Sequence, residues 1–130
     1  MNVIKIVVWD SSFQDPAMRS TLLKHTSNYL GPAFGVEFVI QFTENIGTKD
    51  LLFLEADALI VNPDGHEELW PVLQDALEIG LFVVVRSATE RNLERARGFG
   101  IKTLDARESL LSFVTVLGNM FRYFEDRIET

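Results

Sequence analysis

The chain has 130 residues, 47% of them hydrophobic and 24% charged, and a net charge of −7. That length suits one domain, residues 1–130, able to bury roughly two-thirds of its unfolded surface. The acidic balance argues against direct nucleic-acid binding, which needs a basic stripe against phosphate, and the absence of cysteine removes disulfides, thiolate metal sites and thiol nucleophiles.

The first residues, Met-Asn-Val-Ile-Lys-Ile-Val-Val-Trp, enter a strand-like run at once, without the basic head, apolar stretch and cleavage site of a secretory leader. Apolar runs such as Leu81 to Val85 are far too short to span a membrane. A soluble, cytoplasmic protein is the expectation.

Val3 to Val8 is nearly continuous and β-branched, as in a strand covered on both faces. Asp15-Pro16 starts a helix, with a carboxylate to cap free amides and proline at the first helical position. Met18, Leu22, Thr26 and Tyr29 follow at helical spacing until Gly31-Pro32. Val36 to Phe42 alternates like a strand near a sheet edge, Thr48 to Glu55 reads as a short helix, and Ala58 to Val61 as a third strand. After Asn62-Pro-Asp-Gly65, a helix around Leu69 to Ile79 must hold Pro71 in its first turn. Leu81 to Val85 is a fourth strand, and Ser87-Ala-Thr-Glu90 fits a capping box for the helix carrying Leu93 and Ala96. Ile101 to Leu104 is a fifth strand, followed by a helix from about Ala106 to Asp126. Five alternations with short connections predict an α/β fold: a doubly wound, five-stranded parallel sheet of flavodoxin-like, three-layer α/β/α type. In such sheets ligands sit at the carboxyl ends of the strands, which directs attention to Asp10, Asn62, Ser87 and the residues after Leu104.

The order and spacing of these segments resemble a response-regulator receiver domain of two-component signalling. The segments that carry the resemblance are Val84-Val-Arg-Ser-Ala-Thr-Glu-Arg-Asn-Leu-Glu-Arg-Ala-Arg-Gly-Phe-Gly100, Asp15-Pro-Ala-Met-Arg-Ser-Thr-Leu-Leu23 and Asp57-Ala-Leu-Ile-Val-Asn62. Receiver chemistry implies two acids holding Mg²⁺, an aspartate nucleophile ending the third strand, a Ser or Thr ending the fourth, and a lysine ending the fifth. Here Asp10 stands for one acid and Asp15 for the other, with Ser11 to Gln14 inserted between them. Ser87 matches the hydroxyl. Asn62 takes the nucleophile's place and cannot form an acyl phosphate. Thr103, Leu104 and Asp105 stand where the lysine belongs, with Lys102 displaced. The resemblance therefore implies a degenerate pseudo-receiver whose switch pocket, Asp10, Asp15, Asn62 and Ser87, no longer takes phosphate. No catalytic residue, metal or cofactor is expected.

Each residue also has a plainer reading. Asp10 can cap Ser11-Ser12, Asn62 can satisfy neighbouring backbone, and Ser87 is favoured as a helix cap. Asp64 in Pro-Asp-Gly is read as a turn residue, and His25 and His66 as surface histidines. Gly98 and Gly100 make no dinucleotide motif, and Trp9 to Asp15 lacks the glycine of a flavin phosphate loop. On the last helix, Leu110, Val114, Leu117, Phe121 and Phe124 form one apolar stripe, and Phe113, Val116, Met120 and Tyr123 a second beside it. The second stripe is covered by a flanking segment or by a partner. The expected partner is a protein or a second copy of the chain. The alternative is a nucleoside- or nucleotide-binding domain or enzyme on the same fold, similar to deoxyribosyltransferases, with Glu67 or Glu68 as nucleophile.

Overall fold

Valine and isoleucine runs build the core layer. The computed structural model describes residues 3–29, 37–44, 55–110, 112–115 and 118–119. Among them, β1 (Val3–Trp9), β2 (Glu37–Phe42), β3 (Ala58–Val61), β4 (Phe82–Ser87) and β5 (Lys102–Asp105) form one parallel sheet in the order β2-β1-β3-β4-β5. This is the flavodoxin-like order predicted, and β2, with alternating exposure, lies on the sheet edge.

Side-chain alternation along the strands separates two apolar layers. Ile4, Ile6, Val8, Ala58, Ile60 and Val84 face one side, where α1 (Pro16–Tyr29) contributes Leu22 and the last helix contributes Phe113 and Val114. Val7, Trp9, Leu59, Val61, Val83 and Val85 face the other, against α2 (Leu69–Glu78) and α3 (Glu90–Gly98). Pro71 is the third residue of α2, where its missing amide costs no helical bond. The turn before α2 closes with the His66 amide on the Pro63 carbonyl at 2.9 Å, and Gly65 supplies the left-handed φ of 77° that it requires.

Ser11–Gln14, expected as an insertion, is a 3₁₀ turn that drives Phe13 into the core. Its ring lies 5.6 Å from that of Phe42 and 5.8 Å from that of Phe113. Phe113 is 1% exposed, so it belongs to the core and not to the partner face assigned to it. The last helix also begins later than expected. Residues 106–108 form a turn, because Ala106 still donates to the Ser87 carbonyl at 2.8 Å and Arg107 folds back on Asp105. Helix is found at residues 110, 112–115 and 118–119. Val116, Met120 and Tyr123, the Gly31-Pro32 stop and residues 48–54 of the expected short helix lie outside the described residues.

Phe13→Ala is expected to lower unfolding stability by roughly 3–5 kcal/mol, whereas Phe99→Ala, at a ring 42% exposed, costs much less. Urea denaturation of the two variants checks this; equal losses would contradict the keystone role of Phe13.

Candidate functional site

Strand register assembles the site. Trp9 pairs with Val61, and Val61 with Val85, so the next residue along each strand direction, Asp10, Asn62 and Arg86, falls in one row across three adjacent strands. All three share the side-chain parity of Val8, Ile60 and Val84, hence the face occupied by α1 and the last helix. They are 6%, 8% and 5% exposed respectively, so each polar group needs a partner inside the protein.

Arg86 Nη1 donates to Asp10 Oδ2 at 2.6 Å, and its other terminal nitrogen reaches the Ala106 carbonyl at 3.5 Å. The guanidinium also lies over the Phe13 ring, 5.4 Å from its centroid. Asp10 Oδ1 accepts from the Ser12 amide at 2.9 Å and from Asn62 Nδ2 at 3.2 Å. Asp10 thus does what its plainer reading required, capping the 3₁₀ turn, while also neutralising a buried cation. Both carboxylate oxygens are committed. Asn62 is equally engaged: its backbone N–H donates to the Trp9 carbonyl at 2.8 Å, and its Oδ1 accepts the backbone N–H of Asp64 at 3.0 Å.

Asp64, in the turn beyond β3, opens a second cluster around Ser87, which has the parity of Val83 and Val85. Its carboxylate accepts from Ser87 Oγ at 2.5 Å, Asn92 Nδ2 at 2.8 Å, the Ala88 amide at 2.9 Å and Thr89 Oγ1 at 3.5 Å. Burial pushes the Asp64 carboxyl upward, but bonds from Ser87, Asn92, Ala88 and Thr89 outweigh it and hold the group below its ordinary 3.8. The turn reading of Asp64 describes its backbone, while its side chain ties the loop after β3 to the loop after β4. Ser87 is not the helix cap. It is the last residue of β4, and Thr89 caps α3, with its hydroxyl accepting the Asn92 amide at 3.4 Å. β4 runs two residues past Val85 because Arg86 pairs with Leu104 and Ser87 with Asp105 of β5.

The predicted pocket is therefore only partly assembled. Asp10 and Asn62 touch, and Ser87 is linked to them through Asp64. Asp15 is exposed and caps α1 by accepting the Ala17 amide at 2.9 Å. Lys102 is exposed at the start of β5, while the strand end level with Ser87 carries Asp105. Arg107 forks onto Asp105 at 2.9 and 2.7 Å and holds that carboxyl down at about 2. Glu67 and Glu68 are exposed and paired with Arg95 and His66, and neither lines the cleft beside Asp10. That cleft is about 100 Å³, bounded by Trp9, Asp10, Gln14, Arg19, Glu44 and His66. Among the described residues, no group of three His, Asp or Glu side chains is placed to hold a metal ion.

The decisive residue missed in the sequence is Arg86. The available signal was a cation following three valines in a buried strand, which must find an internal anion. Asn92 gave no local signal.

No family model matches the chain, and no curated protein matches it. Among solved structures it is similar to a de novo designed Rossmann 2x3 fold protein determined by solution NMR, with a TM-score of 0.62 and 16% identity over 92% of this chain and 90% of that one. This likeness shows the fold. It carries no function.

Two outcomes check the site. Arg86→Met, which leaves Asp10 buried without its cation, is expected to cost roughly 3–5 kcal/mol. Asp10→Asn with Arg86→Met should cost less than the sum of the single losses; additivity within about 0.5 kcal/mol in a double-mutant cycle would contradict the pairing. Because the Asp64 carboxyl is depressed, its stabilisation is full above 3.8 and lost as pH falls through the lower folded value. Asp64→Asn should then cost roughly 1–2 kcal/mol at neutral pH, with a gap to wild type that narrows below about pH 4. A gap constant down to acid pH would contradict it.

Proposed function

We propose that the chain is a receiver-like regulatory module that acts through protein–protein contact and accepts no phosphate. The observation that carries this reading is the commitment of Asp10 to Arg86 and Asn62. A strand-end acid that would hold a divalent cation in a receiver has both oxygens taken, and a neutral amide stands where the nucleophile belongs. Asp105, where a lysine would face the phosphoryl group, supports the same conclusion. The module works by a geometry that is constitutive or shifted by a partner.

The proposed partner surface is on the last helix, where Val116, Met120 and Tyr123 continue the second apolar stripe beyond the buried Phe113. Beside the start of that helix, α3 and β5 help to line a groove of about 390 Å³ carrying Arg97, Asp105, Glu108 and Ser112, a polar margin suited to an interface rim. A second copy of the chain is the first partner to test.

Mg²⁺ with beryllofluoride should leave the melting temperature unchanged, and Asn62→Asp should remain unlabelled by acetyl phosphate. A clear thermal rise or formation of an acyl phosphate contradicts the reading. In size-exclusion chromatography with light scattering, the wild type should be a dimer that Met120→Glu dissociates. A wild-type monomer at high concentration removes the homodimer.

A further inference from the structure

The Asp64 cluster has a feature that neither the turn chemistry of Pro-Asp-Gly nor the pseudo-receiver reading requires. Four donors from one short segment converge on a single carboxylate that comes from a different loop. They are of three kinds: the hydroxyls of Ser87 and Thr89, the Ala88 backbone amide and the Asn92 side-chain amide. Ser87 is wholly buried, 0% exposed, and its hydroxyl is fixed from behind as well, since it accepts the Thr89 amide at 3.0 Å. That acceptance orients its proton toward Asp64 Oδ1. The α3 backbone adds its positive N-terminal end on the same side.

We propose that the β4–α3 junction is an oxyanion seat that the chain fills with its own Asp64 carboxylate, a tethered internal ligand that clasps the loops after β3 and β4 into one arrangement. The β3–β4 ladder ends at Val61–Val85, and past it the Asp64 carboxylate joins the two loops, with the exposed Arg95–Glu67 pair farther out. The occupant is covalently attached, and its effective concentration is in the millimolar range or above. External carboxylates and phosphates at lower concentration do not displace it. The seat is consequently filled at all times, and α3 keeps one position without any small-molecule signal. The inference stands on this hydrogen-bond geometry and does not depend on the receiver-like reading; if that reading holds, the clasp supplies its constitutive geometry.

Removing the tethered ligand should turn the seat into a measurable acetate site. Asp64→Ala is expected to melt roughly 4 °C below the wild type. Acetate should recover part of that loss beyond what chloride gives at matched ionic strength, while the wild type responds equally to both salts. The double variant Asp64→Ala/Ser87→Ala should show no acetate-specific recovery. An unchanged melting temperature for Asp64→Ala, identical responses to acetate and chloride, or equal recovery in the double variant each overturns the proposal. The clasp is also read in the intact chain by amide hydrogen exchange. Ala88 is exposed, yet its amide should exchange slowly because it is bonded to Asp64, and faster in Ser87→Ala. An Ala88 amide exchanging at the unprotected rate in the wild type overturns the proposal even if Asp64→Ala does not fold. These readouts are independent of dimerisation and of phosphate acceptance, so failure of the seat leaves those tests intact.

Discussion

A guanidinium and a carboxylate withdrawn from water must neutralise each other, and the carboxyl end of this sheet is organised around that requirement. Arg86 and Asp10 lie 76 residues apart in sequence and 2.6 Å apart in space. Burying either alone would cost several kcal/mol. Their pairing demands that β3 run between β1 and β4 in the observed register, and Asn62, in the intervening position, donates to Asp10 across the row. The 3₁₀ turn follows from the same constraint. Asp10 caps it through Ser12, and the turn in turn delivers Phe13 as the apolar floor beneath the guanidinium. Core packing and charge neutralisation are therefore one structure, joined at Phe13.

The alternation of side chains across the sheet divides the strand ends into two chemistries. On the face of α1, the ion pair and the asparagine form a closed, mutually satisfied set. On the face of α2 and α3, Asp64 collects the hydroxyls and amides of the β4–α3 junction. Asn62 connects the two through the Asp64 amide. What a phosphate-accepting pocket would require from outside, a cation against the acid and an anion against the hydroxyl, is supplied here by Arg86 and Asp64. The proposed regulatory role rests on that substitution.

Much of the fold was legible because parallel strands covered on both faces are apolar throughout. Ala58 to Val61 was bounded correctly on that pattern alone, and the alternation at Val36 to Phe42 correctly marked an edge strand. Local reading failed where side-chain partners come from distant segments. Ser87 fits a capping box by spacing, yet ladder pairing with β5 keeps it in the strand and passes the cap to Thr89. Phe113 belongs to an apolar stripe that looks surplus on a helix considered alone, but the 3₁₀ turn brings Phe13 to meet it. Arg86 carries no local sign of its partner, because the apolar run that marks the strand ends at Val85. The Pro-Asp-Gly turn fixes the backbone of Asp64 and says nothing about its carboxylate.

Arg86 is locked to Asp10 as the internal cation of this pocket. The most direct test is nitrogen-detected NMR of arginine guanidinium groups in the wild type and in Asp10→Asn. A locked Arg86 should show separate, slowly exchanging Nη signals that collapse in Asp10→Asn. A single averaged Nη signal in the wild type, unchanged by the substitution, would contradict the account.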